Sequence, residues 1–193
     1  MKTIGIDLDE VLAETIDYCL LYNDYKILGK SVDREKITDY CIYNIDDFNI
    51  SKEKSIAWFQ DPMKNDANME IRPLSGALEG LEKLKNTGYS LKVVTARIGD
   101  IFGEYTQKWL EKYYPNVFDD IIYANHFTSK DKSKSELCKE NDIFTMVEDN
   151  FDYALDLAQN GIKTYLLEKP WNRHRMDEHK NIIKVKSWQE IRI

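Results

Sequence analysis

The sequence has few cysteines and no long apolar run, and each shortage argues against a class of protein. Its three cysteines, Cys19, Cys41 and Cys138, show no Cys-x-x-Cys spacing. An odd, scattered set does not fit a disulfide framework, so we expect reduced thiols and a cytoplasmic location. No apolar stretch approaches membrane-spanning length, so no membrane partner is expected. The first residues carry charge too early for a signal peptide.

The chain also lacks the excess of basic residues that is typical of nucleic-acid binding. It has 27 Lys and Arg against 34 Asp and Glu, a net charge of -7. This balance argues against a nucleic-acid polymer as partner. It also repels phosphorylated substrates at long range, so a phosphate site must be local and metal-assisted. Without repeats or low-complexity tracts, the 193 residues fit one domain with a modest insertion. A homo-oligomer is compatible with these features.

Short apolar runs alternate with segments of helical spacing over most of the chain. The predicted strands are 2–6, 91–94, 120–123, 144–147 and 164–167. The predicted helices between and after them are 75–86, 103–114, 135–141 and 152–160. Apolar runs of this length suit strands covered on both faces. The alternation therefore predicts an α/β fold, a Rossmann-like doubly wound parallel sheet.

Residues 15–72 interrupt this alternation. They contain few strand-like runs, and helices are predicted at 15–28, 33–37 and 52–60. We predict a core of residues 1–13 and 73–193 and a small helical cap of residues 14–72, inserted after the first strand. An insertion in this place can lie over the carboxyl ends of the strands and act as a lid. The alternative is a helical appendage without a role in binding.

The most informative motif is Asp7-Leu8-Asp9, at the end of the first apolar run. Carboxylates two apart on a strand point the same way. At the carboxyl end of a parallel strand they lie where open α/β sheets bind ligands. Two adjacent anions need a cation, a shared proton or water, and a hard ion such as Mg²⁺ suits them. One carboxylate then remains to attack an electrophile such as phosphorus.

Three later features lie at predicted strand ends or helix starts. Thr95 offers a hydroxyl and a backbone N–H to a phosphate oxygen, although a helix N-cap is the alternative. Lys134 can neutralise a phosphate and a carboxylate together, although most charged runs of this kind are solvated loops. Glu148 and Asp149 end a buried strand, where unpaired acids are costly. They can complete a magnesium site, or they can be an acidic helix N-terminus.

The order of these features resembles that of the haloacid dehalogenase-like (HAD) phosphohydrolase superfamily. The matching segments are 7–13, 93–97, Lys134 and 147–150. Within the superfamily the chain looks most like the cytosolic 5′(3′)-deoxyribonucleotidase branch, because of its Asp-Leu-Asp-Glu-Val-Leu-Ala-Glu opening, its length and its compact cap. It departs from the branch at Glu148, where an aspartate is common, and at Glu10, where a glycine is common.

The resemblance implies a magnesium-dependent phosphomonoesterase that acts through an aspartyl-phosphate intermediate. The implied substrates are small phosphate monoesters, namely (deoxy)nucleoside monophosphates. Asp7 would be the nucleophile and Asp9 the general acid and base. Two other readings keep the fold and change the function: a phosphatase of another metabolite such as a sugar phosphate, or a non-catalytic binding protein. A signalling receiver domain fits less well, because its motifs follow a different order and it has no large helical insertion.

The same resemblance assigns the remaining site residues. Thr95 and Lys134 would hold phosphate oxygens. Asp7, the main-chain carbonyl of Asp9, and Asp149 would hold Mg²⁺. Glu148 would bind the metal through water or orient Asp149.

Several aromatic and basic residues have two interpretations from sequence alone. Arg97 would face the substrate or form a surface salt bridge. The aromatic residues of the cap would stack on a base or form the cap's own core; they are Tyr43, Phe48, Trp58 and Phe59. Residues 171–175 would border the mouth of the site or form a solvated loop.

Overall fold

A sheet of six parallel strands forms the centre of the protein, in a computed structural model that describes residues 2–126, 128–175 and 179–193. The strands are β1 (Thr3–Ile6), β2 (Ser90–Thr95), β3 (Asp120–Tyr123), β4 (Ile143–Glu148), β5 (Lys163–Leu167) and β6 (Ile182–Val185). Their order is β3-β2-β1-β4-β5-β6, and every neighbouring pair is parallel. The predicted doubly wound sheet is therefore confirmed, and β6 is an edge strand that was not predicted.

Six α-helices accompany the sheet in the described residues. They are α1 (Thr15–Asn23), α2 (Lys52–Gln60), α3 (Ala77–Asn86), α4 (Gly99–Tyr113), α5 (Lys134–Glu140) and α6 (Phe151–Gln159). The four helices predicted after the insertion are confirmed, with ends that differ by a few residues. The largest difference is at α4, which begins at Gly99 rather than at residue 103. Gly99 and Gly103, both among its first five residues, weaken the helical pattern in the sequence.

Helices cover both faces of the sheet, as the continuous apolar strands require. One face packs Ile4, Ile6 and Val93 against α3 and α4 in the main core. The opposite face packs Val94 and Met146 against α5 and α6 in a second cluster. Because neighbouring residues of one strand point to opposite faces, β2 contributes Val93 to the first cluster and Val94 to the second, and β4 contributes Val147 and Met146 in the same way.

The direction of the strand order reverses at β1. The chain passes from β1 to β2 and β3 on one side, then returns to β4 on the other side. The crevice between the carboxyl ends of β1 and β4 is the place where open α/β sheets bind ligands. Asp7 follows β1 directly, and Glu148 is the last residue of β4.

The insertion, residues 14–72, is helical in its described parts. A π-helical turn, Asp24–Leu28, follows α1, and 3-10 turns occupy much of the rest: Arg34–Lys36, Ile42–Asn44, Asp46–Phe48, Asp61–Lys64 and Asp66–Glu70. The predicted helix at 52–60 is confirmed without change, whereas the one at 33–37 is a single 3-10 turn. The division into core and cap stays a prediction, although the two ends of the insertion lie side by side, where the Glu14 N–H donates to the Arg72 carbonyl at 2.9 Å.

Two expectations from composition concern the thiols and the membrane. Cys19, Cys41 and Cys138 are all free thiols, as their scattered spacing predicts. Among the helices in the described parts of the chain, none is both long enough and apolar enough to cross a bilayer.

Candidate active site

Backbone pairing brings the first acidic motif next to the last one. The Asp7 N–H donates to the Val147 carbonyl at 3.0 Å, which extends the pairing of β1 with β4 by one residue. Asp7 therefore lies beside the end of β4, where Glu148 and Asp149 follow. All three side chains are buried, and their carboxylate oxygens come within 4.8 Å of one another. We call these three residues the carboxylate cluster.

Lys134 is the cation that faces this cluster. Its Nζ donates to Asp7 Oδ1 and to Glu148 Oε2, both at 2.7 Å. Lys134 is the first residue of α5, whose N-terminus is fixed by a capping box between Ser133 and Glu136. The Lys134 side chain is buried, so the solvated-loop interpretation of this lysine is wrong.

The electrostatics of the cluster show an excess of negative charge. Burial, followed by the neighbouring Glu148 carboxylate, raises the pKa of Asp7 to about 7, although Lys134 acts in the opposite direction. The pKa of Asp149 is also raised well above its usual range, first by burial and then by Glu148 and Asp7. Burial alone would lower the pKa of Lys134, but Asp7 and Glu148 raise it overall. One lysine therefore does not compensate three buried carboxylates.

The donor set fits a hard divalent cation. Both Glu148 oxygens are occupied, since Oε1 accepts from the Asp149 and Asn150 N–H groups and Oε2 accepts from Lys134. Asp149 Oδ2 accepts from Trp171 Nε1 at 2.9 Å. Within the described residues, Asp7 Oδ2 and Asp149 Oδ1 accept no hydrogen bond. Two carboxylate oxygens in a site of excess negative charge are the ligands that Mg²⁺ prefers.

A loop after β5 supports Asp149 and was only partly anticipated. Trp171 Nε1 binds the Asp149 carboxylate, and Asn172 Nδ2 donates to the Asp149 carbonyl at 2.6 Å. Both residues are buried, whereas Arg173 is exposed. Within 171–175, Trp171 borders the cavity beside the carboxylate cluster, and Asn172 supports the backbone of Asp149. The signal in the sequence is Lys-Pro-Trp-Asn, which begins two residues after the end of β5.

The side chain of Asp9 does not join the carboxylate cluster. Arg97 holds it in a bidentate ion pair, with Nε at 2.9 Å from Oδ2 and Nη2 at 2.7 Å from Oδ1. The Thr15 hydroxyl donates to Asp9 Oδ1 at 2.5 Å. Arg97 also donates to Thr106 Oγ1 at 3.1 Å and is only 7% exposed. The surface salt bridge that was one interpretation of Arg97 is wrong, because the pair is buried.

Replacing Arg97 by glutamine should destabilise the protein through this pair. The Arg97→Gln change removes a buried guanidinium that makes charged hydrogen bonds to a partly buried carboxylate, so we expect the free energy of unfolding to fall by about 1.5–3 kcal/mol. Urea denaturation at constant m-value measures this loss. Lys108→Gln, which removes an exposed pair with Glu104, is the control and should change stability by less than about 1 kcal/mol. Equal losses in both variants would contradict the importance of burial.

Thr95 is the last residue of β2 and is buried. Its Oγ1 accepts from the Arg97 N–H at 3.2 Å, so it shapes the loop that carries Arg97. The helix N-cap interpretation is wrong, since the N-cap of α4 is Ile98. A role for Thr95 in phosphate binding stays a prediction.

Glu10, where the resembling branch commonly has glycine, has a left-handed backbone with φ of +66°. Residues with a Cβ pay roughly 1–2 kcal/mol for this conformation, and glycine does not. The Glu10 side chain is buried, and its carboxylate accepts hydrogen bonds from the Ile16 N–H at 2.6 Å and from Lys169 Nζ at 3.3 Å. The Arg34 guanidinium forms a further short contact with it. The motif in the sequence identifies Glu10 as a departure from the branch but does not indicate the partners of its side chain.

A cavity of about 140 Å³ lies between the carboxylate cluster and the insertion. Asp7 and Asp149 border one end, and most of the remaining lining is apolar or aromatic. The aromatic residues that line it are Tyr40, Tyr43, Trp58, Phe59, Phe102, Tyr153 and Trp171. Of the four cap aromatics with two interpretations, Phe48 and Trp58 belong to the insertion's own core. Tyr43, Trp58 and Phe59 contribute to the wall of the cavity.

Known proteins are similar to this chain in sequence and in fold. The family described as 5' nucleotidase, deoxy (pyrimidine), cytosolic type C protein matches residues 1–193. A nucleotidase of Clostridium acetobutylicum is 26% identical over 188 residues, which cover 97% of this chain and 90% of that protein.

Solved structures show the same architecture at lower sequence identity. A haloacid dehalogenase-like hydrolase from Streptococcus pneumoniae superposes with a TM-score of 0.64 at 16% identity, over 87% of this chain and 85% of that one. A HAD hydrolase of family IA, variant 3, from Entamoeba histolytica has a TM-score of 0.61 at 19% identity, over 100% and 96% of the two chains. With the family match over its whole length, the chain belongs to the cytosolic type C 5' nucleotidase family of HAD-like hydrolases and is a phosphoric monoester hydrolase.

Proposed function

We propose that the protein dephosphorylates nucleoside monophosphates, deoxynucleotides foremost, in a magnesium-dependent reaction with an aspartyl-phosphate intermediate. The observation that carries this proposal is the position of the aromatic cavity directly beside the carboxylate cluster. A phosphate at the cluster would leave its nucleoside in the cavity. The nucleotidase relative supports the same substrate class.

Asp7 is the proposed nucleophile. One of its carboxylate oxygens attacks phosphorus, the bond between phosphorus and the ester oxygen breaks, and the phosphoryl group is transferred to Asp7. The position of Asp7 at the end of β1, fixed by its backbone bond to β4, holds the nucleophile in one place. Lys134 contacts Asp7 and would balance negative charge on the transferring group.

Asp9 is the proposed general acid and base. It gives a proton to the departing alkoxide, then takes a proton from the water that attacks the aspartyl-phosphate, so that inorganic phosphate leaves and Asp7 is restored. The bidentate pair with Arg97 fixes the orientation of the Asp9 carboxylate, so the group that exchanges the proton is held in one place. Arg97 thus has a proposed role in orienting Asp9.

Asp7 and Asp149 would hold Mg²⁺ through their remaining carboxylate oxygens, with the main-chain carbonyl of Asp9 as a third ligand. Glu148, whose two oxygens already accept hydrogen bonds, would act by orienting Lys134 and the backbone of Asp149. When bound, the metal ion supplies positive charge that lets an anionic nucleophile approach an anionic ester. Thr95 would add a hydroxyl or N–H contact to a phosphate oxygen.

The apolar wall of the cavity favours a leaving nucleoside, which carries a flat base, over a simple sugar. Aromatic side chains gain free energy from stacking on a flat ring, whereas a polyhydroxylated sugar needs polar partners for each hydroxyl. Tyr43 and Phe59 of the insertion and Trp171 of the core border the cavity. Polar side chains such as Lys52, Ser55 and Gln60 form the smaller part of the wall.

Phosphate release from a substrate panel tests the proposal. The panel contains deoxynucleoside, ribonucleoside and sugar monophosphates, each with Mg²⁺ and with a chelator in excess. We expect kcat/KM to be highest for a deoxynucleoside monophosphate, and activity to fall by at least about 100-fold with the chelator because the cluster then lacks its cation. Added Mg²⁺ should restore it.

Each other outcome rejects a stated part of the proposal. A sugar phosphate as best substrate would reject the nucleotide but keep the mechanism. Equal activity with and without chelator would reject the metal. Trapping of ³²P on the acid-quenched wild-type protein, absent from Asp7→Asn, tests the aspartyl-phosphate separately from both.

A further inference from the structure

We infer that Glu10 is a positioning residue that holds the insertion closed over the carboxylate cluster. The inference rests on the proposed function, in which the insertion covers the substrate. Glu10 lies three residues after Asp7 on the loop that follows β1, and it borders the cavity. Its side chain contacts the insertion on one side and the core on the other.

The contacts of Glu10 join two parts of the chain that are distant in sequence. Arg34, in a 3-10 turn of the insertion, pairs with Glu10 and also donates to Asp17 at 2.8 Å. Lys169, in the core loop after β5, approaches the same Glu10 oxygen to 3.3 Å. Two cations, one from the insertion and one from the core loop after β5, therefore share one buried carboxylate. If the insertion moved away together with Arg34, the ion pair between Arg34 and Glu10 would be broken.

The same arginine connects this pair to the carboxylate cluster. The Arg34 guanidinium lies over the Trp171 ring, 5.3 Å from its centroid. Trp171 in turn donates to Asp149 at 2.9 Å. In the closed arrangement Arg34 therefore packs on Trp171, the side chain that orients Asp149, and opening would remove this contact.

The backbone at Glu10 indicates that the contacts of the side chain, rather than the needs of the turn, explain why a glutamate occupies this position. Its φ of +66° suits glycine better, so the turn does not require a carboxylate. A strained residue persists where its surroundings hold it. Here the holding groups are Arg34, Lys169 and the Ile16 N–H, and two of the three belong to the insertion.

Glu10→Gln tests the inference with two readouts. For the preferred nucleoside monophosphate, we expect KM to rise roughly tenfold or more, because a buried charge pair across the closure is broken, while kcat changes less. The second readout needs no substrate. All four tryptophans of the chain are buried, so opening should increase acrylamide quenching of fluorescence. Trp58 and Trp171 both line the cavity, so Trp171→Phe in the Glu10→Gln background should remove part of that increase.

Two further variants keep the test decisive. Arg34→Gln removes the same contact from the side of the insertion, should produce both effects, and replaces Glu10→Gln in the test if that variant folds poorly. In the double variant, KM and quenching should not exceed those of the more affected single variant. Glu35→Gln is the matched control, because it breaks an exposed pair of the same 3-10 turn with Arg173 of the same loop. It should leave KM and quenching unchanged.

A purely structural role for Glu10 would give a different result. Glu10→Gln would then lower the melting temperature but leave KM and quenching at their wild-type values below the transition, and the inference would be overturned. Failure of the proposed function is distinguishable, since a different best substrate alters the panel and not the quenching. Increased quenching with no rise in KM for any phosphate ester would also overturn the inference.

Discussion

Replacing Asp7 by asparagine is expected to reduce kcat by about four orders of magnitude or more, because the variant lacks the attacking carboxylate. The fold should persist. At neutral pH the wild-type cluster has more buried negative charge than Lys134 compensates, and the pKa of Asp7 is raised to about 7 by burial and Glu148. The Asp7→Asn change removes one of these charges and keeps the side-chain volume, so metal-free stability should stay the same or increase.

Activity and unfolding measured on the same preparation check both halves of this prediction. An acid whose folded-state pKa is raised binds more protons when folded, so stability falls as pH rises from about 4 to 7. Metal-free wild-type protein should show this fall, and Asp7→Asn should show less of it. Residual turnover within tenfold of the wild type would contradict the role of Asp7 as nucleophile.

The second large effect is expected from Lys134→Met. This change leaves the carboxylate cluster without its buried cation, so we expect the free energy of unfolding at neutral pH to fall by about 3–5 kcal/mol without divalent ions. Activity should be lost as well. The destabilisation should be smaller near pH 5, since burial raises the pKa of Asp7 to about 7 and that of Asp149 as well, and the protonated forms need less positive charge.

Lys132→Met is the matched control, two residues earlier on the same segment. Lys132 pairs with Glu140 at 2.7 Å, but both side chains are about half exposed. Surface pairs of this kind contribute at most about 1 kcal/mol. A similar loss in the two variants, or a Lys134→Met loss that does not depend on pH, would contradict the electrostatic explanation.

The sequence predicts the central sheet well because the strands are buried on both faces. Runs such as 91–94 and 144–147 are mainly apolar and β-branched, which is typical of parallel strands. β6 is not predicted because it is a four-residue edge strand in which only Val185 is buried. The many 3-10 turns of the insertion were missed for another reason, since such turns are too short to show a periodic pattern.

Residues at strand ends could be predicted, but their partners could not. Asp7, Lys134, Glu148 and Asp149 were identified one by one, and parallel pairing then brought them together. The pairing of Arg97 with Asp9 joins residues 88 apart in sequence. No local pattern indicates which of several nearby acids an arginine will meet.

Glu10 shows what a comparison of motifs can and cannot supply. The departure from glycine was visible in the sequence, and the positive φ explains why glycine is suitable there. Its contacts with Arg34 and Lys169 depend on how the insertion and the loop after β5 fold against each other. That arrangement is tertiary, so no local motif in the sequence specifies it.

The placement of β4 beside β1 has a consequence for the order in which the protein is assembled. Lys134 and Asp7 are 127 residues apart in sequence, and the backbone partner of Asp7 is Val147. Contacts of such separation form slowly, since a long loop must close first. During synthesis, we expect the pairing of β1 with β4 to wait until most of the chain has left the ribosome. The carboxylates of the cluster then come together only after Lys134 and most of the sheet, which offset their mutual repulsion, have been synthesised.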